Sequence, residues 1–495
     1  MYLLGYDIGS SSVKASLLNG KTGIEVANAQ HPKVEMKIDA PQTGWAEQNP
    51  SSWWSSIIEV TSEILRKSAV SKNDIAAIGI SYQMHGLVLV DQELNVLRPS
   101  IIWCDSRAVP YGERAFNTIG QEKCLSSLLN SPGNFTAAKL AWVKENEPAT
   151  YERIYKFMLP GDYIAMKLSG QCQTTYSGLS EGIFYDFKKE DLSSELMSHF
   201  GFHGDLVPDI LPTFGIQSKV SQSAGDALGL AAGTPITYRA GDQPNNALSL
   251  NVLNPGEIAA TAGTSGVVYG VSDETKYDPY SRVNTFAHVN HNTDDKRLGI
   301  LLCINGTGIL YSWANKNLKV TSYEEMNDLS SSVPIGSDSL VVLPFGNGAE
   351  RVLKNKDIGS HIGYMNFNVH TKAHLLRAMQ EGIAFSFKYG LDIMETLGLN
   401  PSVIRAGNAN LFLSKLFRQA IANLSGAAIE LYNTDGAQGA ARGAGIGLGH
   451  YDAESAFSQL KIIDVTEPDL KEKNAYAEGY ERWSDYLAHL LSERS

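Results

Sequence analysis

The order of apolar and polar positions reads as strands alternating with helices. Residues 3–7 form a short apolar run, Gly9 and three serines then turn the chain, and residues 13–18 supply a second run of strand character. Asn19-Gly20 followed by Thr22-Gly23 makes a tight connection to a third strand, so the chain opens as a β-meander. Across 53–65 the period changes. Positions 54, 57, 58, 61, 64 and 65 are apolar if Thr61 is counted, the spacing of one helical face, with Ser51 or Ser52 as N-cap. Short strands are expected at 75–81, 87–90 and 235–238.

The opening pattern recurs. Residues 258–261, the turn Gly263-Thr264-Ser265-Gly266 and residues 267–271 repeat strand, Gly/Ser loop and strand about 255 residues further on. Two related lobes would explain the repeat; so would a coincidence of two Gly-rich hairpins. A long amphipathic helix is expected at 373–397, a strand at 403–406, a helix at 411–424 and a Gly/Ala-rich helix at 438–448. This alternation means α/β architecture. Asn254-Pro255-Gly256 punctuates the pattern, which sets the expected domains at 1–250 and 251–495.

Composition narrows the function. With 495 residues and 43% hydrophobic content the chain can build two large cores, which excludes wholesale disorder. A net charge of −12, with no basic run beyond a pair such as Lys188-Lys189, argues against nucleic acid or an anionic membrane surface as partner. The start lacks a basic n-region and carries Asp7 in its apolar stretch, and no apolar run nears the ~18–20 residues of a membrane span. A soluble cytoplasmic protein is expected. Cys104, Cys124, Cys172 and Cys303 are scattered, so reduced thiols are the plain reading. His370 and His374 stand one helical turn apart but lack the Glu of HExxH, and read as a polar helix start rather than a metal site.

Several segments carry residues suited to phosphate and sugar chemistry. Asp7, Gly9, Ser10, Ser11, Ser12 and Lys14 place a carboxylate at a strand end before a hydroxyl-rich turn. Such a turn suits phosphate oxygens, and hard oxygen ligands suit Mg²⁺. The plainer reading is an ordinary polar hairpin. Gly263, Thr264 and Ser265 offer the same backbone donors without the carboxylate. Asp242, at a strand exit in Gly241-Asp242-Gln243-Pro244-Asn245-Asn246, is placed to relieve an attacking hydroxyl of its proton, or simply to cap a turn. Gln83-Met84-His85-Gly86, with Trp103, Asp105 and Arg107, mixes polar and apolar surface fit for a polyol; a satisfied core histidine is the alternative. No GxxxxGK[ST] or GxGxxG is present. Gly178-Leu179-Ser180-Glu181-Gly182 matches GxSxG, but a polar segment precedes it where a hydrolase needs a buried strand.

Taken together these segments resemble the FGGY family of carbohydrate kinases, its xylulokinase branch above all. The resemblance runs through the Asp7–Lys14 motif, Trp45-Ala46-Glu47-Gln48-Asn49-Pro50, Gln83-Met84-His85-Gly86, residues 135–142, Leu159-Pro160-Gly161-Asp162-Tyr163 and Ala262-Gly263-Thr264-Ser265-Gly266. It implies two ribonuclease-H/actin-like ATPase domains with the active site in the cleft between them. It implies Asp242 as general base, and Asp7 and Asp242 at Mg²⁺. Gly9, Ser10, Ser11, Lys14, Gly263, Thr264 and Ser265 would meet the phosphates of ATP, and Gly407, Asn408 and Ala409 its adenosine. Gln83, Met84, His85, Trp103, Asp105 and Asn246 would line the sugar site. The expected partners are a small-molecule ketose, D-xylulose first, and ATP, with neither nucleic acid nor membrane; a homodimer is an admitted assembly. Kinases of glycerol, ribulose or fuculose, and a silent sugar sensor, are the rivals. The chain departs from the family pattern at Tyr82, where a glycine is usual, and at Ala406-Gly407-Asn408-Ala409, where a glycine run is usual.

Overall fold

The computed structural model describes residues 1–493. One mixed sheet uses β1 (Tyr2–Ile8), β2 (Val13–Asn19), β3 (Glu25–His31), β4 (Ile75–Tyr82), β5 (Phe214–Lys219) and β6 (Pro235–Gly241), in the order β5-β6-β4-β1-β2-β3. A second uses β7 (Ile258–Ala262), β8 (Gly266–Ser272), β9 (Asn284–Ala287), β10 (Leu298–Ile304), β11 (Val403–Gly407), β12 (Ala428–Tyr432) and β13 (Ile462–Thr466), in the order β9-β10-β8-β7-β11-β12-β13. The stretch β3-β2-β1-β4-β6 matches β10-β8-β7-β11-β12 strand for strand. In both, two antiparallel pairings are followed by two parallel ones. The repeated hairpin is therefore a duplicated lobe and not a coincidence.

Local chemistry accounts for the elements with small adjustments. Helix α1 (Pro50–Ser68) starts three residues before the expected periodic stretch. Its cap is Asn49, whose Oδ1 accepts the Ser51 N–H at 3.0 Å, and not either serine, because Pro50 pre-sets the first helical φ. In β1, Leu3, Leu4, Tyr6 and Ile8 are all fully buried, as expected for a central strand covered on both faces.

The helices following β6 and β12 cross over. Helix α2 (Asp242–Ser249) leaves the first sheet and touches β7 and β8 of the second. Helix α3 (Lys372–Thr396) lies in the second lobe, where the His374 Nδ1 accepts the Thr371 N–H at 3.2 Å, a helix cap as expected of that segment. Helix α4 (Gly436–Gly447) leaves β12 yet packs on β1, β4 and β6 of the first sheet. Its sequence GAQGAARGAGIG is the condition for that approach. A Cβ on Gly5 would collide with the Ala437 carbonyl, and one on Gly79 with that of Ala440. Asn245 of α2 donates from Nδ2 to the Gly436 carbonyl at 2.8 Å, which ties the two crossing helices together. A division near 250 thus separates the two sheets but leaves residues 436–447 resting on the first of them. Among the described residues no helix is long and apolar enough to cross a membrane, all four cysteines are free, and no cluster of three potential metal ligands occurs.

Candidate active site

Asp7 is the penultimate residue of β1, where the strand leaves the core. Its Oδ1 accepts the Ser81 hydroxyl at 2.8 Å, and Lys14 faces it across the β1–β2 hairpin. Burial raises its carboxyl above the ordinary range, against the pull of Lys14 and Ser81. Asp242 is the first residue of α2, immediately after β6. Burial, and then the Asp7 carboxylate, push its carboxyl up to about 7. A buried carboxylate whose ionisation is opposed by a second one forms, with that neighbour, a donor set that suits a divalent cation completed by phosphate oxygens and water.

The first Gly/Ser loop is braced from within its own lobe. Gly9 donates its N–H to the Ser12 carbonyl at 3.0 Å, and Gln48 donates from Nε2 to the Ser10 carbonyl at 2.6 Å. Gln48 also accepts from Gln83 Nε2 at 3.2 Å, which joins this loop to the β4 exit. Ser11 accepts the Met36 N–H at 2.8 Å. Trp103 stays at the surface, with its indole N–H 3.4 Å from the Ser10 hydroxyl.

At the β4 exit Met84 is buried against Gly241, where a Cβ would come within 2.5 Å of Met84 Cγ. His85 adopts φ 63°, uncommon for a residue other than glycine. Its ring packs edge-on to Phe135 at 4.7 Å between centres. Asn246 lies one helical turn past Asp242 on α2, half-buried.

Asp105 departs from its expected place among the sugar ligands. It is fully buried, Oδ2 accepts the Ala46 N–H at 2.6 Å, and Arg107 forms an ion pair with it at 2.7 Å. Arg107 also pairs with Glu47 at 2.7 Å and lies 3.7 Å from the centre of the Trp45 ring, while Arg98 pairs with Glu47 at 2.6 Å. The carboxylate is occupied inside a buried ion network that joins the segments 45–50, 97–99 and 103–107. Tyr82, the departure noted above, is fully buried. Its ring lies against Gly161 and its hydroxyl sits among Glu181, Asp162 and Arg239.

The second lobe brings its own hairpin. Gly263 and Thr264 accept the N–H groups of Gly308 and Ile309 at 3.0 and 3.1 Å, and the Cys303 thiol donates to Asn305 Oδ1 at 3.7 Å. Burial, and then the Glu350 carboxylate, push the Cys303 thiol up to about 12, and helix α2, which begins at Asp242, reaches β7 and β8 of this lobe. Beside the hairpin opens a cavity of about 610 Å³, lined by Gly263, Thr264, Tyr311, Asn327, Asn410 and Ser414 among others. That volume falls within the range of small-ligand sites. Gly407, Asn408 and Ala409 do not line it. Asn408 donates its backbone N–H to the Tyr432 carbonyl at 2.9 Å, and the cavity wall begins two residues later, at Asn410 with φ 55°.

Four residues absent from the expected site are gathered around it. Lys139 donates from Nζ to the His85 carbonyl at 2.8 Å, and Glu181 receives the His85 N–H. Glu350 accepts the N–H groups of Asn305 and Gly306, both at 3.0 Å. Arg351, from the second lobe, reaches to 5.5 Å from the Phe135 ring centre in the first. Lys139 sits in the segment 135–142 that carried the resemblance, so its signal was present; Glu181 was visible only as part of the GxSxG match. Ser180 of that match is buried and bonds the Ala287 N–H at 2.7 Å, so no exposed nucleophile exists there.

Duplicated lobes with crossing helices, a carboxylate pair in the first and a facing Gly/Ser hairpin in the second define a two-domain ATPase of actin-like fold. Comparison with known proteins agrees. Residues 2–249 match the N-terminal domain of the FGGY family of carbohydrate kinases and residues 258–448 its C-terminal domain. The chain belongs to this family, and is an ATP-dependent sugar kinase. It is 29% identical to a xylulose kinase of Bacillus subtilis over 99% of this chain and 97% of that one. It is 28% identical to a xylulose kinase of Escherichia coli over 90% and 88%. The solved xylulose kinase of Rhodospirillum rubrum superposes with a TM-score of 0.87 at 25% identity, covering 99% of each chain.

Proposed function

We propose that the protein phosphorylates a ketopentose, D-xylulose, at its terminal hydroxyl, giving D-xylulose 5-phosphate and ADP. The observation that carries this reading is the Asp242 carboxyl, raised to about 7 beside Asp7 and next to the Met84–His85 strand exit. A general base works best with its pKa near the working pH. Asp242 takes the proton from the terminal hydroxyl as the hydroxyl oxygen bonds the γ-phosphorus and the bond to the β-phosphate oxygen breaks. The Gly9–Lys14 and Gly263–Ser265 hairpins hold the phosphate tail from the two lobes, and little covalent work is left to the protein beyond positioning and charge. Asp7 and Asp242 would hold Mg²⁺, which when bound would supply neutralisation of the charge that develops on the phosphates. Met84, His85 and Asn246 line the sugar. The cavity beside Thr264 takes the nucleoside, and the four free thiols fit a reducing, cytoplasmic setting.

D-Xylulose is favoured by the relatives, which are xylulose kinases over nearly their whole length. A coupled ATPase assay across D-xylulose, L-xylulose, D-ribulose, L-ribulose, L-fuculose and glycerol tests the reading. The highest kcat/KM is expected with D-xylulose. A preference for another acceptor overturns the substrate and leaves the kinase, whereas sugar-independent silence overturns both.

A further inference from the structure

His85 is held by one residue at both of its ends. Its main-chain N–H donates to Glu181 Oε1 at 3.3 Å, and its ring Nδ1 lies 3.0 Å from the Glu181 carbonyl oxygen. A carbonyl only accepts, so Nδ1 carries the proton. Burial, and then the nearby Lys139, push the imidazole down to about 3, so the ring is neutral and its second nitrogen, Nε2, is a bare acceptor. The main chain of His85 is left-handed at φ 63°, a conformation that persists only where surrounding bonds impose it. Glu181 imposes it from below, with Lys139 on the His85 carbonyl from the other side. Glu181 is itself fixed in place. It is 1% exposed, and its Oε2 lies where Gly241, the residue before Asp242, leaves out a Cβ.

We propose that Glu181 is a positioning residue for sugar recognition: it locks His85 into one backbone conformation and one tautomer, so that Nε2 accepts a hydrogen bond from a hydroxyl of the acceptor sugar and does not serve its keto oxygen. The inference rests on the placement of His85 at the sugar in the reading above. Glu181 touches neither substrate nor nucleotide; it acts through His85. Glutamine keeps an acceptor oxygen that can still receive the His85 N–H.

The test combines a double-mutant cycle with a tautomer measurement. Glu181→Ala is expected to raise the KM for D-xylulose about ten-fold, the scale of one misaligned hydrogen bond, while the KM for ATP stays within two-fold. Glu181→Gln is expected to stay within about three-fold of the parent. In a His85→Ala background the Glu181→Ala effect should vanish. An undiminished effect in that background, or glutamine as damaging as alanine in folded protein, overturns the inference. Should His85→Ala alone leave the KM for D-xylulose unchanged, the sugar-site reading falls, and this inference with it. The ¹⁵N spectrum of histidine-labelled protein, with the His85 signals assigned by subtraction of the His85→Ala spectrum, needs no change at 181. Protonated Nδ1 with bare Nε2 at neutral pH supports the lock; the opposite tautomer refutes it even if Glu181→Ala does not fold.

Discussion

Asp7 and Gly436 meet at the junction of the two lobes: a Cβ on Gly436, the first residue of α4, would stand 2.5 Å from Asp7 Oδ2 and 2.7 Å from its Cγ. The carboxylate of one lobe is seated against a helix start delivered by the other. Substituting Gly436→Ala must displace the Asp7 side chain, since the helical backbone there does not move freely. A loss of ten-fold or more in kcat/KM for MgATP is expected, with a melting temperature within a few degrees of the parent. Unchanged kinetics in steady-state assays would detach Asp7 from nucleotide handling.

Asp242→Asn is expected to lower kcat by about two or more orders of magnitude, the scale of a general base, while calorimetric ATP binding persists. Near-normal kcat removes Asp242 from the mechanism. The same substitution should stabilise the ligand-free chain. Folding raises this carboxyl from 3.8 to about 7, so the folded state keeps a proton that the unfolded state has lost. The resulting destabilisation is absent at pH values below the unfolded pKa, grows across the interval and is complete above about 7. Thermal melts in EDTA should show Asp242→Asn more stable at pH 8, by on the order of 1 to 3 kcal/mol, with the gap narrowing toward pH 5.

Asp105→Asn is expected to act on stability rather than on sugar affinity. Its carboxylate is fully buried and paired with Arg107 at 2.7 Å. Asparagine keeps an oxygen for the Ala46 N–H but removes one of the two carboxylates that Arg107 meets, leaving the guanidinium on Glu47 at 2.7 Å; the lost charge-assisted bonds cost about 1.5 to 3 kcal/mol. Denaturant melts should record that loss, and the KM for D-xylulose in the folded fraction should stay within two-fold. A large rise in KM without a change in stability would return Asp105 to the sugar site.

Lys139 gives a pH signature of opposite origin. Burial holds its ammonium down to about 7, from 10.5, while its Nζ donates to the His85 carbonyl at 2.8 Å. Between those two values the unfolded chain carries the extra proton, so this group makes stability rise with pH. The stability of the parent relative to Lys139→Met should increase by on the order of 1 to 3 kcal/mol from pH 7 to pH 9. Parallel curves from chemical denaturation at each pH would show that Lys139 is not desolvated.

Much of the architecture could be read from order and composition alone. Short apolar runs and Gly/Ser turns mark β1, β2, β7 and β8, because a strand end followed by small residues has few alternatives locally. Asp7, the 9–14 loop, Asp242 and the 263–265 turn are legible in the same way, since each sits within a few residues of a strand exit. Whether the two hairpins were related needed strand order, which depends on partners more than a hundred residues away. The seating of the Asp105 carboxylate on the Ala46 N–H and the hold of Glu181 on His85 join segments distant in the chain. Local spacing says nothing about such pairs. The crossing of α4 onto the first sheet is the clearest case. Its glycines and alanines are visible as composition, but their purpose appears only once the backbone of β1 lies against them, because close packing is a property of two surfaces and a sequence segment describes one.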